Sequence, residues 1–372
     1  MVKKEPRPII GNPYRNRSLI QRRRASDYLL ITLLSFGFSV GATRLFLEVT
    51  GYPQIGTGSL HIAHVLWGGL FLFVASLLPI IYVNGWILGI SGLLSGFGVG
   101  LFIDEVGKFI TQTNDYFYPS AAPIVYVLFL LTVFVFSQVK IERRPSTRSI
   151  FYDVLERLTE ILDRDLSDEE ANSIQLKLDE IISRNDEPEL VYLAQSLSTY
   201  FVSEKKRIVP HYPNTLEKIG NFLRKIEKKW LLKKRMRAII ILGLIGWGVW
   251  ALVSPLGYML TTQEPEKLQT LLDQLIMQRL ITNQSGLTWF QARVLLEGGM
   301  GVISIVAASL MLFDLDKAGV WLGIGGMLVT LTLVNLLIFY FDQFSTIILA
   351  GYQFVLLSLL LRYQKRFLKR NY

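Results

Sequence analysis

The sequence contains no cysteine and only three histidines among its 372 residues. The absence of cysteine excludes disulfides, thiolate metal sites, iron–sulfur clusters and cysteine nucleophiles, and it leaves the redox compartment unassigned. Because histidine is scarce, the position of each one is informative. His61 and His64 lie close together, whereas His211 stands between Pro210 and Tyr212, a context that favours a turn.

Charge is scarce over long stretches of the chain. Hydrophobic residues make up 51% of the sequence, and the mean hydropathy is +0.37. Apolar runs of about 20 residues have the length of a helix that crosses the hydrocarbon core of a bilayer. Eight such runs predict an all-α polytopic integral membrane protein. The predicted spans lie near residues 28–49, 60–83, 86–110, 120–139, 237–257, 292–313, 317–341 and 343–361. The first run is too long for a cleavable signal peptide and lacks an A-x-A motif, so we expect an uncleaved anchor.

Basic residues are distributed unevenly along a chain whose formal net charge is +9. Three segments hold 33 of the 39 Lys and Arg residues, namely 1–27, 140–237 and 362–372. The loops expected on the other side of the membrane hold only Lys267 and Arg279. By the positive-inside rule, we expect a multi-pass protein of the plasma membrane with both termini in the cytoplasm. Topology therefore accounts for the positive charge, and no nucleic-acid partner is expected.

Five parts are expected along the chain. They are a basic tail, a membrane domain with spans 1 to 4, a helical cytoplasmic insert, a membrane domain with spans 5 to 8, and a second basic tail, over residues 1–27, 28–139, 140–236, 237–361 and 362–372. Within the insert, capping signals predict helix starts near Ser167 and Asp186.

Two further segments carry expectations about the bilayer. Residues 224–237 form a basic amphipathic stretch that either binds anionic lipid headgroups or serves only as a topogenic charge block. Residues 260–291 place leucines on one side of a helix and predict an amphipathic helix on the outer surface. An oligomer is compatible with this organisation.

A degenerate internal repeat is a further hypothesis. Residues 63–69 resemble 292–299, and residues 86–94 resemble 321–328. The two halves would then contain four spans each, related by an axis along the membrane normal. In this alignment Arg293 replaces His64 and an isoleucine falls opposite Asp104, so we expect the second half to lack the chemistry of the first.

Ionisable residues recur at the predicted outer ends of four spans. They are Arg44, Glu48, His61, His64, Asp104, Glu105, Lys108, Arg293 and Glu297, with Asp115 in the loop after the third span. Ionisable groups within membrane helices are costly and usually mark function. We therefore expect one outer-leaflet site between the first, second, third and sixth helices, with His61, His64, Asp104 and Glu105 as its ion- or metal-binding candidates.

Glycine spacing supports that site. On the third span Gly92, Gly96, Gly100 and Asp104 follow one another at intervals of four and predict a close-packing stripe that leads to Asp104. Gly68 shares a helix face with His64. Three pairs spaced by four residues could instead form intrahelical ion pairs: Arg44 with Glu48, Asp104 with Lys108, and Arg293 with Glu297.

Three functions fit these residues. Two imidazoles and a carboxylate suit a divalent metal such as zinc, which could drive hydrolysis of a lipid or another substrate at the outer surface. The same groups suit a site that binds or moves an ion, proton or small solute, because the unperturbed pKa of histidine is about 6.5. Alternatively, the charges neutralise one another and hold the helices together. A scaffold or regulatory protein acting through the insert is a further class.

The region from about residue 41 to 125 resembles a group of uncharacterised multi-spanning bacterial membrane proteins. These proteins carry a His-x-x-His-x-x-Trp-Gly stretch, a glycine-rich helix that ends in Ile-Asp-Glu-x-Gly-Lys-Phe, and then Asn-Asp-Tyr-Phe. The matching positions are His61, His64, Trp67, Gly68, Asp104, Glu105, Gly107, Lys108, Phe109, Asn114, Asp115 and Tyr116. The resemblance implies a multi-span membrane fold and no particular activity. A fainter similarity is to ceramidase-like membrane hydrolases, whose late paired histidines this sequence lacks.

Overall fold

The computed structural model describes residues 19–51, 63–116, 118–141, 145–162, 168–203, 232–262 and 284–368, together with 269, 270, 273, 276 and 277. Within these ranges the chain is helical and contains no strand, as the sequence predicts. The described residues divide into two compact units, one of 19–30 and 135–203 and the other of 31–134 and 232–368. The second unit contains the helices of membrane-spanning length, except for residues 25–30 and 135–140, which belong to the first unit.

Thirteen α-helices are named here in chain order. They are α1 Ala25–Thr50, α2 His64–Ile81, α3 Gly85–Asp104, α4 Val106–Ile110, α5 Ala121–Lys140, α6 Thr147–Leu162, α7 Asp168–Arg184, α8 Pro188–Ser203, α9 Lys233–Thr262, α10 Gln284–Leu312, α11 Asp316–Val329, α12 Asn335–Asp342 and α13 Ile347–Tyr363. A π-helical segment, Thr330–Val334, joins α11 to α12, and a 3-10 turn, Gln343–Thr346, joins α12 to α13.

Seven helical runs in the described residues are long and apolar enough to cross a membrane. The last run, Asp316–Leu368, is 53 residues long and folds back on itself at Gln343, whose φ of 50° lies in the left-handed region. The Tyr363 hydroxyl donates to Asp316 Oδ2 at 2.6 Å, so the two ends of this run lie side by side. The run therefore provides two antiparallel legs, and the total is the eight legs that the sequence predicts.

The legs of the second half pack on a continuous apolar core. Trp247 of α9, Met327 of α11 and Leu360 of α13 are among its fully buried side chains. The side chains of facing helices interdigitate at van der Waals distance, and this interdigitation gives the core its dense packing. This core fixes α11 and α13, and with them the turn at Gln343.

The ends of several predicted spans differ from the structure. The helix of the sixth span begins at Gln284 rather than near residue 292, so it includes the end of the segment predicted as an outer-surface helix. The second helix begins at His64 rather than near residue 60, and His61 lies outside the described residues. The third helix ends at Asp104 rather than at Ile110, because Glu105 leaves helical geometry with φ −91° and ψ 12°. This break changes which side chains near Asp104 meet.

The unit of residues 19–30 and 135–203 has its own core. Helix α7 begins at Asp168 and α8 at Pro188, as the capping signals predict. Buried side chains of α6, α7 and α8, such as Val154, Ile174 and Ala194, pack together. Residues 224–231 of the basic segment 224–237 and half of the predicted outer helix at 260–291 lie outside the described residues, so both remain predictions.

Candidate functional site

Close helix packing brings the site residues of the first half together. A Cβ atom at Gly100 of α3 would lie 2.7 Å from Ser39 Cβ of α1, and one at Gly68 of α2 would lie 2.7 Å from the backbone nitrogen of Phe102. Gly96 also packs against α1, and Gly92 is buried in α3. Because glycine has no side chain, α3 fits between α1 and α2 at backbone contact distance. The predicted stripe therefore does lead to Asp104.

Asp104 is fully buried and is the centre of a hydrogen-bond network. Arg44 Nε of α1 donates to Asp104 Oδ1 at 2.6 Å, and Arg44 Nη2 donates to the Asp104 carbonyl at 3.0 Å. The Tyr116 hydroxyl donates to Asp104 Oδ2 at 2.7 Å. His64 Nε2 lies 3.2 Å from the same Oδ2. Three elements that are distant in sequence thus converge on one carboxylate.

The second ring nitrogen of His64 faces another carboxylate. His64 Nδ1 lies 3.2 Å from Glu105 Oε1, and the Lys108 ammonium lies 3.0 Å from the same oxygen. Glu105 is nearly fully buried, whereas 23% of the His64 side chain is exposed. We refer to Arg44, His64, Asp104, Glu105, Lys108 and Tyr116 as the His64 cluster.

Aromatic rings enclose the cationic side of the cluster. The Arg44 guanidinium carbon lies 3.6 Å from the Phe344 ring centre and 4.4 Å from that of Tyr116. Such cation–π contacts stabilise a desolvated guanidinium. Burial raises the pKa of the Tyr116 phenol, and the adjacent Asp104 carboxylate raises it further. Tyr116 therefore remains a neutral donor to Asp104 at physiological pH.

Two of the three intrahelical pairs suggested by the spacing are not formed. Because the helix breaks at Glu105, Lys108 pairs with Glu105, and Asp104 pairs with Arg44 instead. Glu48 is exposed at the end of α1 and forms no ion pair with the other described residues. The backbone N–H of Asp115 donates to Thr111 Oγ1 at 2.7 Å, in the loop after the third span.

The third pair belongs to a separate group. Arg293 Nε of α10 lies 3.3 Å from Glu297 Oε2, and Arg293 also pairs with Asp342 at the end of α12. We refer to Arg293, Glu297 and Asp342 as the Arg293 cluster. Within the described ranges, no hydrogen bond or ion pair joins it to the His64 cluster. The structure therefore contains two clusters where the sequence predicts a single site. In the second half, Ile338 is the isoleucine opposite Asp104 in the predicted repeat, and the carboxylate that pairs with Arg293 lies one helical turn later, at Asp342.

The described donors do not form a metal site. No group of three or more His, Asp or Glu side chains in the described part of the chain has the arrangement of a metal site. Arg44 and Lys108 already occupy oxygens of Asp104 and Glu105, and a nearby cation would repel a metal ion. The metal hypothesis named four residues, and one of them, His61, lies outside the described residues.

Sequence reasoning did not assign several residues of these sites. Tyr116 enters only through the family resemblance, and the sequence gives no role to Asp342 or Phe344, which lie at the boundary of the predicted spans 317–341 and 343–361. A second polar group, Tyr126, Asn335 and Gln353, was also missed. Asn335 Nδ2 donates to Gln353 Oε1 at 2.7 Å and to Tyr126 Oη at 3.2 Å, and Tyr126 donates to the Leu331 carbonyl in the π-helical segment at 2.7 Å. The available signal was a pair of amide side chains within apolar runs.

Comparisons with known proteins add no relative to this geometry. No family model matches the chain, and the searches of curated proteins and of solved structures found no match. The functional argument therefore depends on the residues themselves.

Proposed function

We propose that this multi-pass membrane protein binds and moves a proton at the predicted outer membrane surface, with His64 as the proton carrier. The observation that supports this function is the position of the imidazole ring. Each ring nitrogen lies 3.2 Å from a carboxylate oxygen, one of Asp104 and the other of Glu105.

The number of hydrogen-bond donors on the imidazole determines which protonation state this geometry favours. A neutral imidazole has one N–H donor and one acceptor nitrogen, whereas an ionised carboxylate only accepts. Two nitrogens that face two carboxylates are both satisfied only when an additional proton is present, either on the ring or on one carboxyl group. Without that proton, one nitrogen lone pair faces a carboxylate oxygen and repels it.

The charges of the cluster suit reversible binding. Arg44 and Lys108 balance Asp104 and Glu105, so the cluster is neutral with a neutral ring and carries one positive charge with the additional proton. The two carboxylates stabilise an imidazolium, while the two fixed cations limit how tightly it is held. His64 is partly exposed, so the proton can exchange with water through this residue.

A purely structural role, in which the charges hold the helices together as a lock, is the second candidate, and the contacts of Arg44 favour it. Arg44 joins α1 to the end of α3 and contacts Phe344 in the Gln343–Thr346 turn. A lock needs hydrogen bonds but no titrating group. Glutamine at position 64 could preserve a hydrogen bond but cannot carry a proton, so His64→Gln distinguishes the two functions.

Proton movement can be measured in proteoliposomes that enclose a pH-sensitive dye. After an outside pH jump, we expect the wild-type protein to accelerate the change in internal pH and His64→Gln to abolish this acceleration. His211→Gln is the matched control, because it makes the same substitution in the predicted insert. Equal rates for wild type and His64→Gln, with both proteins folded, would contradict the proposal and favour the lock.

The proposal includes the orientation of the protein, with the His64 cluster at the outer surface of the membrane. Because the chain has no cysteine, single-cysteine variants report sidedness directly. We expect Thr113→Cys, in the loop before α5, to react with a membrane-impermeant maleimide in intact cells, and Gln195→Cys in α8 to react only after permeabilisation. The reverse pattern would place the His64 cluster at the inner surface. Hydrolysis at the outer surface and a scaffold role of the insert remain predictions from the sequence.

A further inference from the structure

An apolar cavity lies next to the His64 cluster, between α1, α5, α12 and α13. Its volume is about 220 Å³. Gly37 and Gly41 of α1 and Gly351 of α13 form part of its wall, and aromatic rings such as Phe129 and Phe354 form much of the remainder. Phe344 belongs both to this wall and to the aromatic enclosure of Arg44.

The lining excludes water as the preferred occupant. Tyr126 is the one lining residue with a side-chain polar atom, and its hydroxyl already bonds to the Leu331 carbonyl and to Asn335. A buried water needs two to four polar partners, and an apolar cavity of about 150 Å³ stays dry and binds a small hydrocarbon. An empty space of this size also costs stability, because its wall lacks contacts.

We infer that this cavity binds the acyl chain of a membrane phospholipid. The cavity lies among helices of membrane-spanning length and is partly open, and the apolar molecules that surround such helices in a bilayer are lipid chains. The glycines create the space for the chain. A Cβ atom at Gly41 or Gly351 would meet no atom within 4 Å, so these two positions face open space rather than a packed neighbour.

The proposed acyl-chain site is separate from the His64 cluster, but one residue of its wall also contacts a residue of that cluster. Phe344 contacts the Arg44 guanidinium on one side and lines the cavity on the other. Loss of proton movement would leave the chain site intact, and loss of chain binding would leave the His64 hydrogen bonds intact. The two proposals can therefore fail independently.

Photolabelling of the full-length protein tests the inference. The protein is reconstituted in phosphatidylethanolamine and phosphatidylglycerol vesicles that contain a phospholipid with a diazirine in its acyl chain, and labelled peptides are mapped by mass spectrometry. We expect the peptides with the cavity-facing residues of α1, α5 and α13 to be labelled more strongly than the peptide with exposed Leu66 and Phe73 of α2.

Filling the cavity provides the decisive comparison. We expect the double variant Gly41→Leu, Gly351→Leu to reduce cavity labelling to the level of the α2 peptide. Gly325→Leu is the matched control, since Gly325 also faces open space but lies outside the cavity wall, and it should leave labelling unchanged. The single variant Gly351→Met carries the test if the double variant does not fold.

Two results would overturn the inference. The first is cavity labelling that persists in a folded filled variant. The second is labelling of the cavity peptides by a diazirine-bearing isoprenoid phosphate but not by the phospholipid, because this result would assign the cavity to a different lipid class.

Discussion

Replacing Asp104 with asparagine removes the buried charge on which Arg44, Tyr116 and His64 converge. Asp104 is fully buried and Arg44 is 7% exposed, so little solvent screens their interaction. Removing one partner of a buried ion pair typically costs about 3–5 kcal/mol, because the other charge remains buried without compensation. We expect Asp104→Asn to lower the free energy of unfolding by an amount in this range.

A double-mutant cycle isolates the contribution of the pair. Arg44→Met alone should cost about as much as Asp104→Asn alone, since each leaves one buried charge. The double variant should cost less than the sum of the two by about 2 kcal/mol or more, because residues in one hydrogen-bond network couple by up to about 3 kcal/mol. Glu48→Gln is the control, since a substitution at an exposed position usually changes stability by about 0.5 kcal/mol or less.

The assay is denaturant unfolding in detergent, followed by circular dichroism. Purely additive single-variant effects would refute the reasoning, because additivity would mean that Arg44 and Asp104 contribute independently. A cost for Asp104→Asn no larger than that for Glu48→Gln would refute it as well.

Three other predictions follow from the structure. Gly100→Ala should destabilise the protein by about 1–3 kcal/mol through overpacking against Ser39, while Gly69→Ala, whose new methyl group meets no atom within 4 Å, should not, as thermal unfolding can show. The pKa of Tyr116 is raised in the folded state, so the neutral phenol stabilises the fold fully below pH 10, and this stabilisation is lost as the pH rises through the pKa of the folded protein. Tyr116 should therefore not ionise at pH 10, and tyrosinate absorbance at that pH should be equal in wild type and Tyr116→Phe. Ile174→Ala should cost about 2–5 kcal/mol within the α6–α8 core and speed hydrogen exchange in these helices but not in α3, whereas uniform acceleration would contradict the separate core.

The sequence predicts the membrane fold well because hydropathy and length alone determine which helices can span a bilayer. All eight legs arise from apolar runs, and the glycines at intervals of four place Asp104 on the α1 side of α3. Pairing of ionisable residues is less predictable. No pattern in the sequence indicates the break at Glu105, and Lys108 pairs with Glu105 rather than with Asp104.

Contacts between distant segments explain the remaining differences. Phe344 lies in the tight turn Gln343–Thr346, and no periodicity in the sequence indicates that its ring lies over Arg44. Similarly, Arg293 was grouped with His64 because both were expected at the same membrane depth. Besides Glu297, Arg293 pairs with Asp342, whose position depends on the reversal at Gln343, and depth alone does not specify which groups meet.

Nitrogen-15 NMR of histidine-labelled protein in detergent tests the central claim most directly. The chain has three histidines, so His64→Gln assigns the relevant signals by their disappearance. With the additional proton bound, we expect both His64 ring nitrogens to carry protons in hydrogen bonds to Asp104 and Glu105, and we expect Glu105→Gln to change the nitrogen signals because one carboxylate partner is lost. Signals of a neutral His64 ring at every pH tested, with no response to Glu105→Gln, would contradict His64 as the proton carrier.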